Sequence, residues 1–251
     1  SFSNDSRQKD ENVWLLGKLP ENEIKRIVRF GINTGLRKMA ILSEENEYGR
    51  LLSKVAIKEL EKTGGSVATV FLAKSDLNNI NDLRNTIKDF SGWKKINENN
   101  IILPKPKYDG ILLLGNSSFV LKVAPLLSYY DIGPDRIMIM STSMAIKKSI
   151  AKEPSLEGSF ISSTDIILKE SFDTKWQKVW GGDAPNLSAL GFDAGYLISN
   201  TFNKNTIDYV TDKEGHDLVT GKTWFKENGL NIRELLVYRV QDGEFVEVLS
   251  E

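Results

Sequence analysis

The sequence predicts a doubly wound α/β protein that closes on a β-hairpin, and three observations carry that prediction. Residues 37–72, RKMAILSEENEYGRLLSKVAIKELEKTGGSVATVFL, read as strand, polar loop, amphipathic helix, Gly-Gly stop and strand, which is a parallel βαβ unit. Short apolar runs return at 110–114 and 136–140 with a helical pattern between them, as strands buried on both faces should. The chain then approaches its end with LLVYRVQDGEFVEVL, two alternating runs around Asp242-Gly243, a strong two-residue turn signal.

Residues 20–36 form the first predicted helix, with Ile24, Ile27, Val28 and Ile32 on one face and acids near its start, where the helix dipole favours them. The apolar run 39–42 is the first strand. Leu51, Leu52, Val55, Ala56 and Leu60 then recur at helical spacing, Gly64-Gly65 ends that helix, and 67–72 returns to strand. Residues 76–90 place Leu77, Ile80, Leu83 and Ile87 on one helical face. Residues 91–107, SGWKKINENNIILPKPK, break the rhythm and read as a solvated excursion, with Lys94, Lys95, Lys105 and Lys107 as a lesser candidate contact surface. Strand 110–114, helix 117–129 and strand 136–140 follow, and the crossovers of such a sheet are expected to be right-handed. From Pro154 the character changes to a short strand at 159–163, an aromatic helix around 172–180 and a longer helix at 187–202. After the polar stretch 203–221 comes the hairpin, whose buried face is expected from Leu235, Val237 and Phe245.

With 251 residues, 40% hydrophobic and 27% charged, the chain can bury one or two cores. Lys+Arg 33 against Asp+Glu 34 leaves no basic excess, which argues against nucleic acid as a partner. No apolar run approaches the roughly 20 residues a membrane-spanning helix needs, and residues 1–12 are too polar to be a signal peptide. The absence of cysteine excludes disulfides, thiol nucleophiles and Cys-ligated metal. A single histidine excludes a multi-His zinc site, and His216 itself reads as a solvated loop residue. No motif calls for a cofactor: LLLGNSS lacks both G-x-G-x-x-G and G-x-x-x-x-G-K-[ST], and there is no G-x-S-x-G elbow. A Rossmann-like enzyme is therefore the least favoured reading.

In an open parallel sheet, ligands gather outside the carboxyl ends of the strands. Three segments fall there: residues 43–49 (SEENEYG) with Asn46 and Tyr48, residues 115–118 with Asn116 and Ser117, and Ser141, Thr142 and Ser143. Asn and Ser at helix starts also cap free backbone N–H groups whatever the function. An aromatic hydroxyl at a sheet mouth can stack on a ligand and donate to it, which singles out Tyr48. Glu44, Glu45 and Glu47 fit no calcium-loop spacing and no acid/base pair, and read as solvated charges near a helix N-terminus. Phe172, Trp176, Trp180 and Trp224 read as core or lobe-contact aromatics rather than sugar platforms.

The segments PENEIKRIVRFGINTGLRKMAILSEENEYGR, YDGILLLGNSS with VAPLLSYYDI, EPSLEGSFISST and LVYRVQDGEFVEVL resemble, in that order, the type I periplasmic binding proteins of the Leu/Ile/Val-binding-like branch. Within that branch the chain is most similar to the envelope lipoproteins called penicillin-binding-protein activators. The resemblance implies two lobes clamping a small ligand. Residues 13–163 and 235–251 would form the second lobe, and residues 1–12 and 164–234 would be a remnant of an incomplete first lobe whose earlier half is missing. It further implies a non-enzymatic cell-envelope protein, periplasmic or anchored to the outer membrane. Such a protein would bind a small polar, amino-acid-like ligand for an ABC permease, or would regulate a peptidoglycan synthase by contact. Tyr48 matches the family's tyrosine before glycine, and Asn116, Ser117, Ser141, Thr142 and Ser143 match its contact loops. The acid that often holds the ligand's ammonium in the last loop has no counterpart in STSMA. An incomplete lobe would also leave Leu190, Ala194, Leu197 and Ile198 of the 187–202 helix facing water, with self-association, first-lobe remnants repacked on the second lobe, or a partner chain as the expected ways of covering them.

Overall fold

A computed structural model describes residues 1–10, 13–74, 80–97, 100–102, 106–185, 187–202 and 204–249. The chain divides into two compact units, one of Ser1–Asn22 with Ser163–Leu236 and the other of Glu23–Ser162 with Val237–Glu251.

The second of these units is built on a seven-stranded sheet. Helix α1 (Pro20–Asn33) leads into strand β1 (Lys38–Glu44), helix α2 (Glu47–Lys62) and strand β2 (Ser66–Ala73), the βαβ unit read from the sequence. Helix α3 (Ile80–Ser91) follows, then a small antiparallel pair, β3 (Lys94–Asn97) and β4 (Asn100–Ile102). Part of the predicted solvated excursion is thus a hairpin. It is anchored by Trp93, which packs edge-on against Tyr130 with ring centroids 5.6 Å apart. Lys105 lies outside the described residues, as does Leu77 of the preceding predicted helix.

Strand β5 (Gly110–Leu114), helix α4 (Ser117–Tyr129), strand β6 (Met138–Thr142), the short helix α5 (Lys148–Ala151) and strand β7 (Phe160–Ser163) continue the alternation. Past the other unit, β10 (Leu236–Gln241) and β11 (Glu244–Glu247) complete the order β11-β10-β7-β6-β5-β1-β2. Strands β2, β1, β5, β6 and β7 pair in parallel, and β10–β11 is the antiparallel hairpin.

Strand alternation sorts the core into two layers. Ala40, Leu42, Ile111 and Leu113 face one cluster with Leu83, Ile87, Phe119 and Val123. Met39, Ile41, Leu112 and Leu114 face the other, with Ile24, Ile27, Leu52 and Leu60. The hairpin joins both layers: Val240 belongs to the first cluster and Val237 to the second. Its burial therefore extends beyond the single face expected, and Leu235 is only half-buried. The turn places Asp242 at φ 52° and Gly243 at φ 81°, the positive pair that Asp-Gly supplies at least cost.

The other unit contains helices α6 (Ile166–Trp180), α7 (Ser188–Thr201) and α8 (Thr206–Val210) and the antiparallel pair β8 (Thr223–Phe225) and β9 (Asn231–Arg233). Its core is Leu16, Leu197, Val210, Leu218 and Phe225, with Trp14, Leu190 and Ala194 packed against it. This overturns the water-facing stripe: of the four residues named, Ile198 alone is exposed, while Phe192 and Tyr196 are exposed on the same helix. Trp180, at 71% exposure, is not a core residue either.

His216 is a second correction. It is buried, its backbone bridges to Thr223, its Nε2 lies 3.1 Å from the Val210 carbonyl, and its ring packs on Tyr209 at 4.9 Å. The polar sequence around it gave no sign that β8 would fold back over it.

Candidate functional site

Because β1, β5 and β6 are adjacent and parallel, the segments that follow them must emerge on one edge of the sheet. Two hydrogen bonds knit that edge together. Asn116 Nδ2 donates to Glu44 Oε2 at 3.2 Å, joining the end of β5 to the end of β1. The Ser141 hydroxyl donates to the Leu113 carbonyl at 2.7 Å, joining β6 to β5.

Most of the polar atoms singled out from the sequence are consumed within the chain. Asn46 is the N-cap of α2, its Oδ1 accepting from the Gly49 N–H at 2.7 Å. Asn116 does the same for α4, accepting from the Phe119 N–H at 3.0 Å. Ser117 is half-buried in the first turn of α4. Tyr48 packs its ring against the cluster that contains Ile41 and Leu52, at the start of α2. Gly49 next to it lets the start of α2 lie close against the end of β1: a Cβ there would fall 2.1 Å from the Glu44 carbonyl oxygen and 2.5 Å from Ser43 Oγ.

Strand β6 runs two residues further than its apolar run suggests, so Ser141 and Thr142 are buried strand residues and not loop residues beyond it. Ser143 opens the following turn, and here the structure supplies a group that sequence reasoning missed. Glu23, in the first turn of α1 and only 4% exposed, accepts from the Ser143 N–H at 3.1 Å and from its hydroxyl at 2.5 Å. Its own backbone carbonyl accepts from Ser162 Oγ at 3.0 Å. An acid near a helix start has a sufficient local explanation in the dipole, so nothing in the sequence marked Glu23 as buried. The STSMA loop does have a carboxylate beside it, brought from 120 residues away. Two hydroxyls at the same edge, Ser43 Oγ and Thr142 Oγ1, are buried without a hydrogen-bond partner among the described residues.

The other unit holds a separate buried network. The Asp193 carboxylate accepts from the Val219 N–H at 2.9 Å, the Thr220 N–H at 3.1 Å and the Thr220 hydroxyl at 2.5 Å. Arg233 donates to the Thr220 carbonyl, Thr223 Oγ1 and the Leu16 carbonyl. Burial pushes the Asp193 carboxyl above its ordinary range, while the Thr220 and Val219 hydrogen bonds and the Arg233 charge pull the other way. This arrangement braces α7, the 218–223 segment and β9.

No protein-family model matches the chain, and no curated protein matches it. Solved structures do match. A branched-chain amino acid ABC transporter protein from Rhodospirillum rubrum aligns with TM-score 0.74 at 15% identity, over 94% of this chain and 67% of its own. The leucine-binding protein LivK of Thermotoga maritima gives 0.64 at 14%, over 96% and 68%. The C-domain of Haemophilus influenzae LpoA, described as a regulator of PBP1A, gives 0.65 at 19%, over 98% and 72%. The chain spans about two-thirds of the length of these solute-binding proteins and 42% of full-length LpoA. It has the fold of the type I periplasmic binding proteins.

Proposed function

We propose that this chain belongs to a non-enzymatic protein of the cell envelope that acts by protein contacts, in the manner of the LpoA regulator. The carrying observation is the state of the carboxyl edge of the sheet. Asn46, Asn116, Ser141 and Ser143 spend their hydrogen bonds on Gly49, Phe119, Glu44, Leu113 and Glu23. A ligand there would have to break bonds already made, at about 0.5–1.5 kcal/mol for each neutral one and about 1.5–3 kcal/mol for those that end on the Glu44 and Glu23 carboxylates. Calorimetry with leucine, isoleucine, valine and benzoate is expected to give no heat. Surface plasmon resonance against an immobilised PBP1A-type peptidoglycan synthase is expected to give saturable binding. Tight binding of any of the four small molecules, with no response to the synthase, overturns the reading.

A second reading, solute capture for an ABC permease, rests on Ser43 Oγ and Thr142 Oγ1. These two buried hydroxyls have no hydrogen-bond partner among the described residues, at the edge where a small polar ligand would sit. Tyr48, Asn116, Ser117 and Ser143 would then be its contacts.

A further inference from the structure

The two edges of the seven-stranded sheet are guarded very differently. Strand β11 at one end carries Glu244 and Glu247 within four residues. Strand β2 at the other end, SVATVFLA, carries no charge and no proline over eight residues. Charges and prolines are the usual protection against pairing with another chain, so β2 is the unguarded edge. A register shift opposite Met39 and Ala40 leaves Thr69–Ala73 as its regular part.

The hydrogen-bonding direction of each residue follows from the ends of the strand. The Ser66 N–H donates to the Arg37 carbonyl, and the Ala73 carbonyl accepts from the Glu45 N–H, so both residues turn their backbone groups toward β1 and the segment after it. Alternation back from Ala73 turns Phe71 and Thr69 inward and leaves the N–H and C=O groups of Val70 and Leu72 on the outer edge. Among the described residues no strand pairs with that edge. Val70 is 39% exposed, although it lies opposite the fully buried Ile41 of β1.

We propose that this edge pairs with β2 of a second copy of the chain, antiparallel about a two-fold axis at Phe71. In that register Val70 of each copy lies opposite Leu72 of the other, so the outward groups of all four residues are satisfied by one another in four hydrogen bonds. Val70 and Leu72 also meet side by side across the axis, covering the exposed valine. Two-fold pairing sets a strand against its own charges, which would repel, and β2 has none to repel. A partner recognised by charge would find nothing on this strand to complement.

The test is sedimentation of the full chain over a concentration series, with three proteins. The wild type should move from 28.2 kDa toward twice that mass as concentration rises. Val70→Pro removes an N–H that points away from β1 and pairs with no strand among the described residues, so it should preserve the circular dichroism spectrum and weaken self-association by about tenfold or more. Val70→Thr keeps the N–H and the β-branched shape and should dimerise like the wild type. Amide exchange on the wild type adds an independent reading: Val70 and Leu72 should be protected at high concentration and exchange freely at low concentration. A monomer at every concentration overturns the proposal. So does association that Val70→Pro leaves unchanged, since the contact would then lie elsewhere. If Val70→Pro fails to fold, equal exchange of Val70 and Leu72 at both concentrations overturns it.

Discussion

Replacing Asp193 with alanine should be among the most damaging single changes to the unit that contains it. Asp193 is 1% exposed, and its carboxylate receives three hydrogen bonds, two from the backbone N–H groups of Val219 and Thr220 and one from the Thr220 hydroxyl. The truncation leaves those donors without an acceptor, and leaves the 5%-exposed Arg233 without its nearby negative charge. Breaking a buried charged arrangement from one side costs about 3–5 kcal/mol. For a chain of this size that is a fall in melting temperature on the order of 10 °C.

Asp193→Asn keeps one acceptor oxygen and should lose about half as much. The pH dependence separates the charge from the geometry. Burial raises the folded-state pKa above 3.8, so between 3.8 and the raised value the folded protein holds a proton that the unfolded chain has released. Stability contributed by this group therefore falls as pH rises through that window. The Asn variant should lack that part of the slope. Urea unfolding of the three proteins from pH 3.5 to 7 measures both effects. An alanine variant within about 1 kcal/mol of the wild type, with an unchanged pH slope, would refute the network as the brace of α7.

Three further outcomes follow from the carboxyl edge. Glu23→Ala strands the Ser143 N–H and hydroxyl and should cost about 2–4 kcal/mol in urea unfolding, with Glu23→Gln costing less; equal losses would mean that the carboxylate does not hold the turn. Gly49→Ala gains helix propensity of about 1 kcal/mol but drives a Cβ into the Glu44 carbonyl, so a net loss of about 1–2 kcal/mol is expected by thermal melting, and a stabilised variant would contradict the close approach. Tyr48→Ala should lower stability by about 2–3 kcal/mol through lost packing and leave the affinity for a synthase unchanged; the reverse pattern, unaltered melting with lost small-ligand binding, would favour solute capture.

Much of the second unit was legible in the sequence because its signals are local. The run MAIL, the cap at Asn46 and the Gly-Gly stop lie within one another's reach along the chain, and α4 was read to its observed limits, 117–129, from the Asn116 cap and its apolar spacing. The Asp-Gly turn required positive φ at two adjacent positions, and both positions have it. Parallel order then brought the segments after β1, β5 and β6 to one edge without any long-range detail being needed.

What only the tertiary structure decided is where the polar groups point and what they meet. Glu23 and Ser143 are 120 residues apart, Asp193 and Thr220 27, and Arg233 and Leu16 217. No pattern of period two or 3.6 spans such separations, and a buried acid is written with the same letter as a solvated one. The same holds for His216, which the polar stretch around it assigned to solvent until β8 closed over it. Sequence periodicity records which face of an element is apolar. The satisfaction of each buried donor and acceptor depends on neighbours that only chain closure assembles, because desolvation penalises a polar group according to its final surroundings and not its place along the chain.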